Sequence, residues 1–296
     1  MHFRPVPLTV AKMYPPVVTK NPAAVEAEVQ SNFLSIFPAG DKAFIPNAFR
    51  WAKEAFVSGF KDYQPVDAPY HDFEHALQSV LCMARLLRGR HSAGAKPFIS
   101  ERIFRLGVVA VLFHDSGYIK KRTDSEGTGA KYTVTHVARG LVFAAELLEA
   151  KGVSSGDIRT VQNLIRCTDL EKPLSEIPFA GEEERIVGFA IGTADLMSQM
   201  AAPDYVDKLP LLYEELAEAE RFTNNPGRVP AFSSAADLMR KSPAFWENYV
   251  RPRLSDDLGG LFRFLNEPFP DGPNEYLIGI EANVKSLRER FGKMES

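Results

Sequence analysis

The chain has 296 residues, of which 45% are hydrophobic and 25% charged; this excludes fibrous and disordered classes and allows a sizeable core in one or two domains. A formal charge of −3 and a pI near 6.1 give no bulk attraction to a nucleic-acid polymer or an anionic membrane, so any phosphate binding must be local. Two cysteines, Cys82 and Cys167, form neither a CxxC pair nor a disulfide framework, which fits buried thiols in a reducing compartment.

Residues 1–22 contain no apolar run long enough for a signal-peptide core or a membrane span, and their prolines prevent a regular helix. The expectation is a cytoplasmic protein with an extended N-terminal arm. From residue 23 apolar side chains recur at helical spacing (Val25, Val29, Phe33) and strand-like alternation is scarce. The chain is therefore expected to be all-α. Breakers and caps place helices over residues 23–37, 47–60, 72–87, 100–113, 135–151, 155–168, 182–199 and 204–222, then near 235–239, 243–249, 256–265 and 274–290. The stretch FTNNPGRVPAFSS, residues 222–234, marks the boundary between a core of residues 23–222 and a C-terminal helical extension of residues 223–296.

Three stretches carry ionisable groups where apolar ones are expected. In YHDFEHALQ two of the six histidines, His71 and His75, stand one helical turn apart, so a helix beginning at or before His71 would point both into one pocket; the plainer reading is a polar helix edge. In AVLFHDSGYIKKR an apolar helix runs into His114 and Asp115. Burying such groups costs several kcal/mol, on the order of the buried-charge penalty, unless partners or a metal offset it. A nitrogen beside an anionic oxygen suits zinc, iron or manganese, and a carboxylate can bridge two ions. In GFAIGTADLMSQM, Asp195 sits in an apolar helix whose nearest cations in sequence, Arg185 and Lys208, are more than two turns away, which weakens a structural salt bridge as the alternative.

Together, His75, His114-Asp115 and Asp195 resemble, in order, the H…HD…D signature of the HD-domain metal-dependent phosphohydrolase superfamily. YHDFEHA is similar to the YHNxxHA element of the cyclic-nucleotide phosphodiesterase catalytic domain, with Asp72 in place of Asn, and TADLMSQM to the segment carrying the last metal-binding aspartate. The resemblance spans residues 70–222, about half of the chain. It implies a phosphodiesterase-like helical bundle, ligation by His75, His114, Asp115 and Asp195 of one or two divalent ions (Mn, Fe, Zn, Ni or Mg), and a proton-donor role for His71. Asp115 then doubles as the group that orients an activated water for attack on phosphorus.

The implied reaction is hydrolysis of a small phosphorylated substrate, a phosphodiester or nucleotide; no membrane or nucleic-acid polymer is expected as a partner, and assembly into a homo-oligomer stays open. A di-iron oxygenase on the same scaffold and a non-catalytic regulator are the alternatives. His136 is the only further histidine between the HD pair and Asp195, and no counterpart of the purine-reading glutamine stands near Phe245-Trp246. Substrate contacts are expected from His136, Lys120, Arg122, Thr168 and Met197, set against other readings: a metal ligand or a helix-end residue for His136, a solvated cation run for Lys120 to Arg122, a helix end for Thr168 and packing for Met197. The glycine-rich loop after the HD pair is expected to be mobile beside the cleft. His2 and His91 read as surface residues.

Overall fold

A computed structural model describes residues 17–223 and 231–292. The expected N-terminal arm falls almost wholly outside the described residues, as do His2 and most of the expected boundary stretch. Among the described residues the chain is all-α, with a single isolated bridge between Tyr63 and Lys121 and no strand. The helices are α1 (Pro22–Ile36), α2 (Phe44–Lys53), α3 (Phe73–Ser92), α4 (Glu101–Phe113), α5 (His136–Ala150), α6 (Ser155–Ile165), α7 (Glu182–Ala201), α8 (Tyr205–Phe222), α9 (Ala235–Phe245), α10 (Arg251–Ser255) and α11 (Glu275–Gly292). None is long and apolar enough to cross a membrane.

The helices sit where the periodicity puts them, and the departures have local causes. Helix α2 starts at Phe44, earlier than expected, because Pro46 belongs to its first turn, where a missing N–H costs nothing. It runs into a π turn over Glu54–Ser58 that Gly59 ends at φ 83°. The helix expected over 256–265 is replaced by a short 3₁₀ turn, Leu261–Leu265, because consecutive Gly259 and Gly260 take φ values of 66° and 64°, outside the helical region.

Helices α3 and α7 form the centre, packed side by side and buried on most faces. Leu77, Val80, Met83 and Leu86 of α3 are essentially inaccessible, each contributing about 1.5–3 kcal/mol of burial. Helix α4 lies against both; at Gly107 an added Cβ would run into Val187 of α7, so a glycine lets the two helices approach closely. The C-terminal helices pack on α7 and α8, and Leu238, Val250, Ile280 and Val284 join the same apolar cluster as the central helices. The helical extension thus completes one core.

Candidate metal centre and its cavity

Helix α3 begins after Asp72, whose side chain accepts a hydrogen bond from the His75 N–H at 3.0 Å. His71 therefore precedes the helix, and the expected shared helical face with His75 does not form. The chain turns instead, so that His71 meets α8. Its Nδ1 lies 2.5 Å from Glu215 Oε2, and the Tyr70 and His71 N–H groups donate to Glu215 Oε1 at 2.7 and 3.1 Å. Glu215 is fully buried. Sequence inspection missed it because it sits among four glutamates of α8; its signal is its spacing, three residues after Leu212 and four before Ala219, on the apolar stripe.

His75 enters from the first turn of α3, His114 caps the end of α4, Asp115 follows it and Asp195 projects from the middle of α7. His75 Nε2 is 3.2 Å from His114 Nε2, 3.1 Å from Asp195 Oδ1 and 3.2 Å from Asp115 Oδ2; His114 Nε2 is 3.1 Å from Asp115 Oδ2 and 3.4 Å from Asp195 Oδ1. These are the separations of adjacent ligands around a cation held at about 2.1 Å, whose ligand polyhedron has edges of roughly 3.0–3.4 Å. His114 Nδ1 donates to the Val111 carbonyl at 2.8 Å, which leaves Nε2 with its lone pair directed inward. Asp115 Oδ2 is buried and accepts no hydrogen bond, although both imidazoles are within reach. Buried His75 Nδ1 has no hydrogen-bond partner among the described residues, so the bonding of that ring is confined to Nε2. The two imidazole nitrogens and an Asp195 oxygen lie within 4.8 Å of one another, a donor set that suits a divalent cation, and Asp115 Oδ2 stands beside both imidazoles.

The electrostatics agree. Burial disfavours charge on His75, but Asp115 and Asp195 outweigh it and push the imidazole up to about 9; His114 is raised by the same carboxylates against the same burial penalty. Burial works against ionising Asp115 and Asp195 too, yet His114 and the surrounding imidazoles hold both well below the usual carboxylate range. The carboxylates are thus anionic at neutral pH without any Lys or Arg partner among the described residues.

His136 opens helix α5. Its Nδ1 is 2.6 Å from the Thr133 carbonyl and its Nε2 3.6 Å from Asp115 Oδ1, the oxygen of Asp115 on the His136 side. Burial lowers its pKa, so the ring is neutral, with Nε2 as acceptor. The HDSGY turn places it: a Cβ at Gly117 would collide with the His136 carbonyl, so only glycine lets α5 approach this closely. Tyr118 stacks on His71, with ring centroids 4.6 Å apart, and on His136, at 4.8 Å.

His71, His136, Asp115 and Asp195 face a cavity of about 420 Å³ whose far wall is made by α8 and α9. Thr168 also lines it, with its hydroxyl donated to the Ile165 carbonyl at 2.9 Å. Other expected contacts lie elsewhere. Lys120 is buried, 2.8 Å from Asp67 and 2.5 Å from the Gly127 carbonyl, so it holds its own loop and does not line the cavity. Arg122 donates to the Lys61 carbonyl at 3.1 Å, also away from the cavity. Met197 is a core residue: two positions after Asp195 it points to the opposite side of α7, whereas Gln199, four positions on, shares the face. The loop expected to be mobile is tied down, since Thr128 donates to Glu218 at 2.7 Å, Tyr132 to Asp124 at 2.6 Å, and Lys131 pairs with Asp124.

A family model described as Npun_R2479-like matches residues 121–266, somewhat under half of the chain. The matched stretch contains His136, Asp195, Glu215 and most of the cavity wall, and begins after His71, His75, His114 and Asp115. No curated protein matches the chain.

Proposed function

We propose that the chain is an HD-type metal-dependent hydrolase of phosphate esters. The observation that supports it most is the grouping of His75 Nε2, His114 Nε2 and an Asp195 oxygen within 4.8 Å of one another, with Asp115 Oδ2 3.1–3.2 Å from both imidazoles. His75, His114 and Asp195, with Asp115 beside them, would hold a divalent cation, which would supply Lewis acidity toward a phosphoryl oxygen and a bound water.

The protein's own groups supply the rest. Asp115, which lines the cavity, accepts a hydrogen bond from the attacking water and orients it, and the proton that this water gives up on becoming hydroxide passes to solvent. As the water oxygen bonds to phosphorus, the P–O bond to the leaving group breaks, and the leaving oxygen needs a proton. Burial disfavours protonation of His71, but Glu215 outweighs it and raises the pKa, so the ring carries a proton near neutral pH. With Nδ1 on Glu215, Nε2 is the nitrogen that delivers it. Glu215 fixes the ring's aim and tautomer; it is a positioning residue.

The test is metal analysis of the purified protein, followed by phosphate-ester hydrolysis with Mn²⁺, Zn²⁺, Fe²⁺ or Mg²⁺ added to chelated protein. Hydrolysis restored by at least one ion is expected. Oxygen uptake without ester cleavage would replace the hydrolase by the oxygenase reading, and a protein that binds none of the four ions would leave neither.

A further inference from the structure

The cavity's chemistry changes sharply away from the histidines and aspartates. Leu209, Leu212 and Leu216 of α8, Leu238 of α9, Phe232 and Met200 make a continuous aliphatic and aromatic wall. The polar side chains within that wall are few: Thr133, Thr168, Gln199, Tyr205 and Ser242. Thr133, Thr168 and Ser242 donate to the backbone carbonyls of Ala130, Ile165 and Leu238 at 2.7–2.9 Å. Gln199 donates to the Asp195 carbonyl at 3.1 Å and accepts from the Tyr70 hydroxyl at 2.8 Å, so both ends of its amide are engaged. Among the described lining residues Lys172 is the single Lys or Arg, and its exposed ammonium lies 3.8 Å from Asp169.

Two ligand classes are disfavoured by this lining. A nucleobase would set most of its donors and acceptors against a largely hydrocarbon wall, each one left unpaired costing about 5- to 150-fold in affinity. A polyphosphate would need cations, and the rim offers Asp169 and Glu171 beside Lys172. What the wall matches is saturated hydrocarbon. The exposed part of the lining extends the match: Val134, Leu170 and Phe245 have 51%, 42% and 43% of their surface in water, three large apolar side chains where the cavity meets solvent.

We infer that the substrate is a singly charged phosphoester carrying an aliphatic chain, with the phosphoryl group at the His/Asp end and the chain along the α8–α9 wall. This rests on the hydrolase reading for its phosphoryl end, while the chain-binding wall is independent of it. A volume of about 420 Å³ lies within the range of small-ligand sites and accommodates a chain rather than a bilayer segment.

The test is calorimetric binding of n-alkylphosphonates, methyl to dodecyl, to the full chain with and without Mn²⁺, alongside turnover of p-nitrophenyl n-alkyl phosphates. Affinity and kcat/KM should rise by about fourfold per methylene and level off once the cavity is full. Leu212→Trp, which fills part of the wall, should bring the plateau to shorter chains than in the wild type; the wild-type series stands alone should that variant not fold. A flat response to chain length, or adenosine monophosphate binding better than decylphosphonate, would overturn the inference even if aryl phosphodiesters are hydrolysed. Chain-dependent binding without turnover of any ester would uphold the apolar wall and remove the hydrolase. Decylphosphonate bound better free in solution than embedded in phosphatidylcholine vesicles assigns a dispersed amphiphile, and the reverse a bilayer lipid; either upholds a chain-binding cavity.

Discussion

At the inner end of the cavity the polar atoms are aimed into a shared space: His114 is locked by the Val111 carbonyl, Asp115 is left with an unbonded oxygen and His71 is pinned by Glu215. At the outer end the hydroxyls of Thr133, Thr168 and Ser242 donate to their own backbone, and the surface around them is largely hydrocarbon. The inner end depends on direction and charge, where an ångström of misplacement is costly. The outer end depends on area, which tolerates substitution. Changes at the inner end should therefore be all-or-none and pH-dependent, and those at the outer end graded.

The largest effect is expected from Asp115→Ala. Loss of a carboxylate that touches both imidazoles should strip metal and reduce turnover to background, as read by metal content and initial rates; normal metal content with full activity would detach Asp115 from the chemistry. Next comes His71→Ala, which should keep the metal and slow esters with poor leaving groups by about 10²–10⁴-fold, while an activated aryl ester, needing little proton donation, suffers less. Equal losses on both would take the proton donor away from His71.

A smaller, continuous effect comes from pH. In the metal-free chain the His75 imidazolium contributes stability that is complete below its unfolded value near 6.5 and is lost as pH rises through about 9. A cation must expel that proton, so metal affinity should run the opposite way, climbing about tenfold per pH unit for each proton displaced until about 9. Titrations at pH 6, 7 and 8 with proton release followed in two buffers would measure this, and an affinity indifferent to pH would argue against imidazole ligation.

The sequence was most legible where burial and charge conflict. An acid in the apolar run of α7 and an HD pair ending the apolar α4 stand out because water-free surroundings demand a partner for each, and those residues do meet in space. Helix order was legible because apolar side chains repeat with the helical period. Glu215 was not, because a glutamate among glutamates on an exposed-looking helix has the composition of a solvated face and only its phase on the apolar stripe differs. Lys120 misled in the opposite direction: a cation after a helix suggests a ligand contact, yet its partner Asp67 lies 53 positions earlier, a pairing that no local pattern encodes. The position of His71 turned on one capping bond, since Asp72 starts α3 one residue too late for the histidine pair to share a face.

Glu215 fastens the turn before α3 to helix α8 through a single carboxylate, and α8 is also the floor on which a guest molecule would rest. Whatever presses on Leu212 or Leu216 thus leans on the same beam that carries the imidazole, so bulk and reactivity are read by one mechanical part.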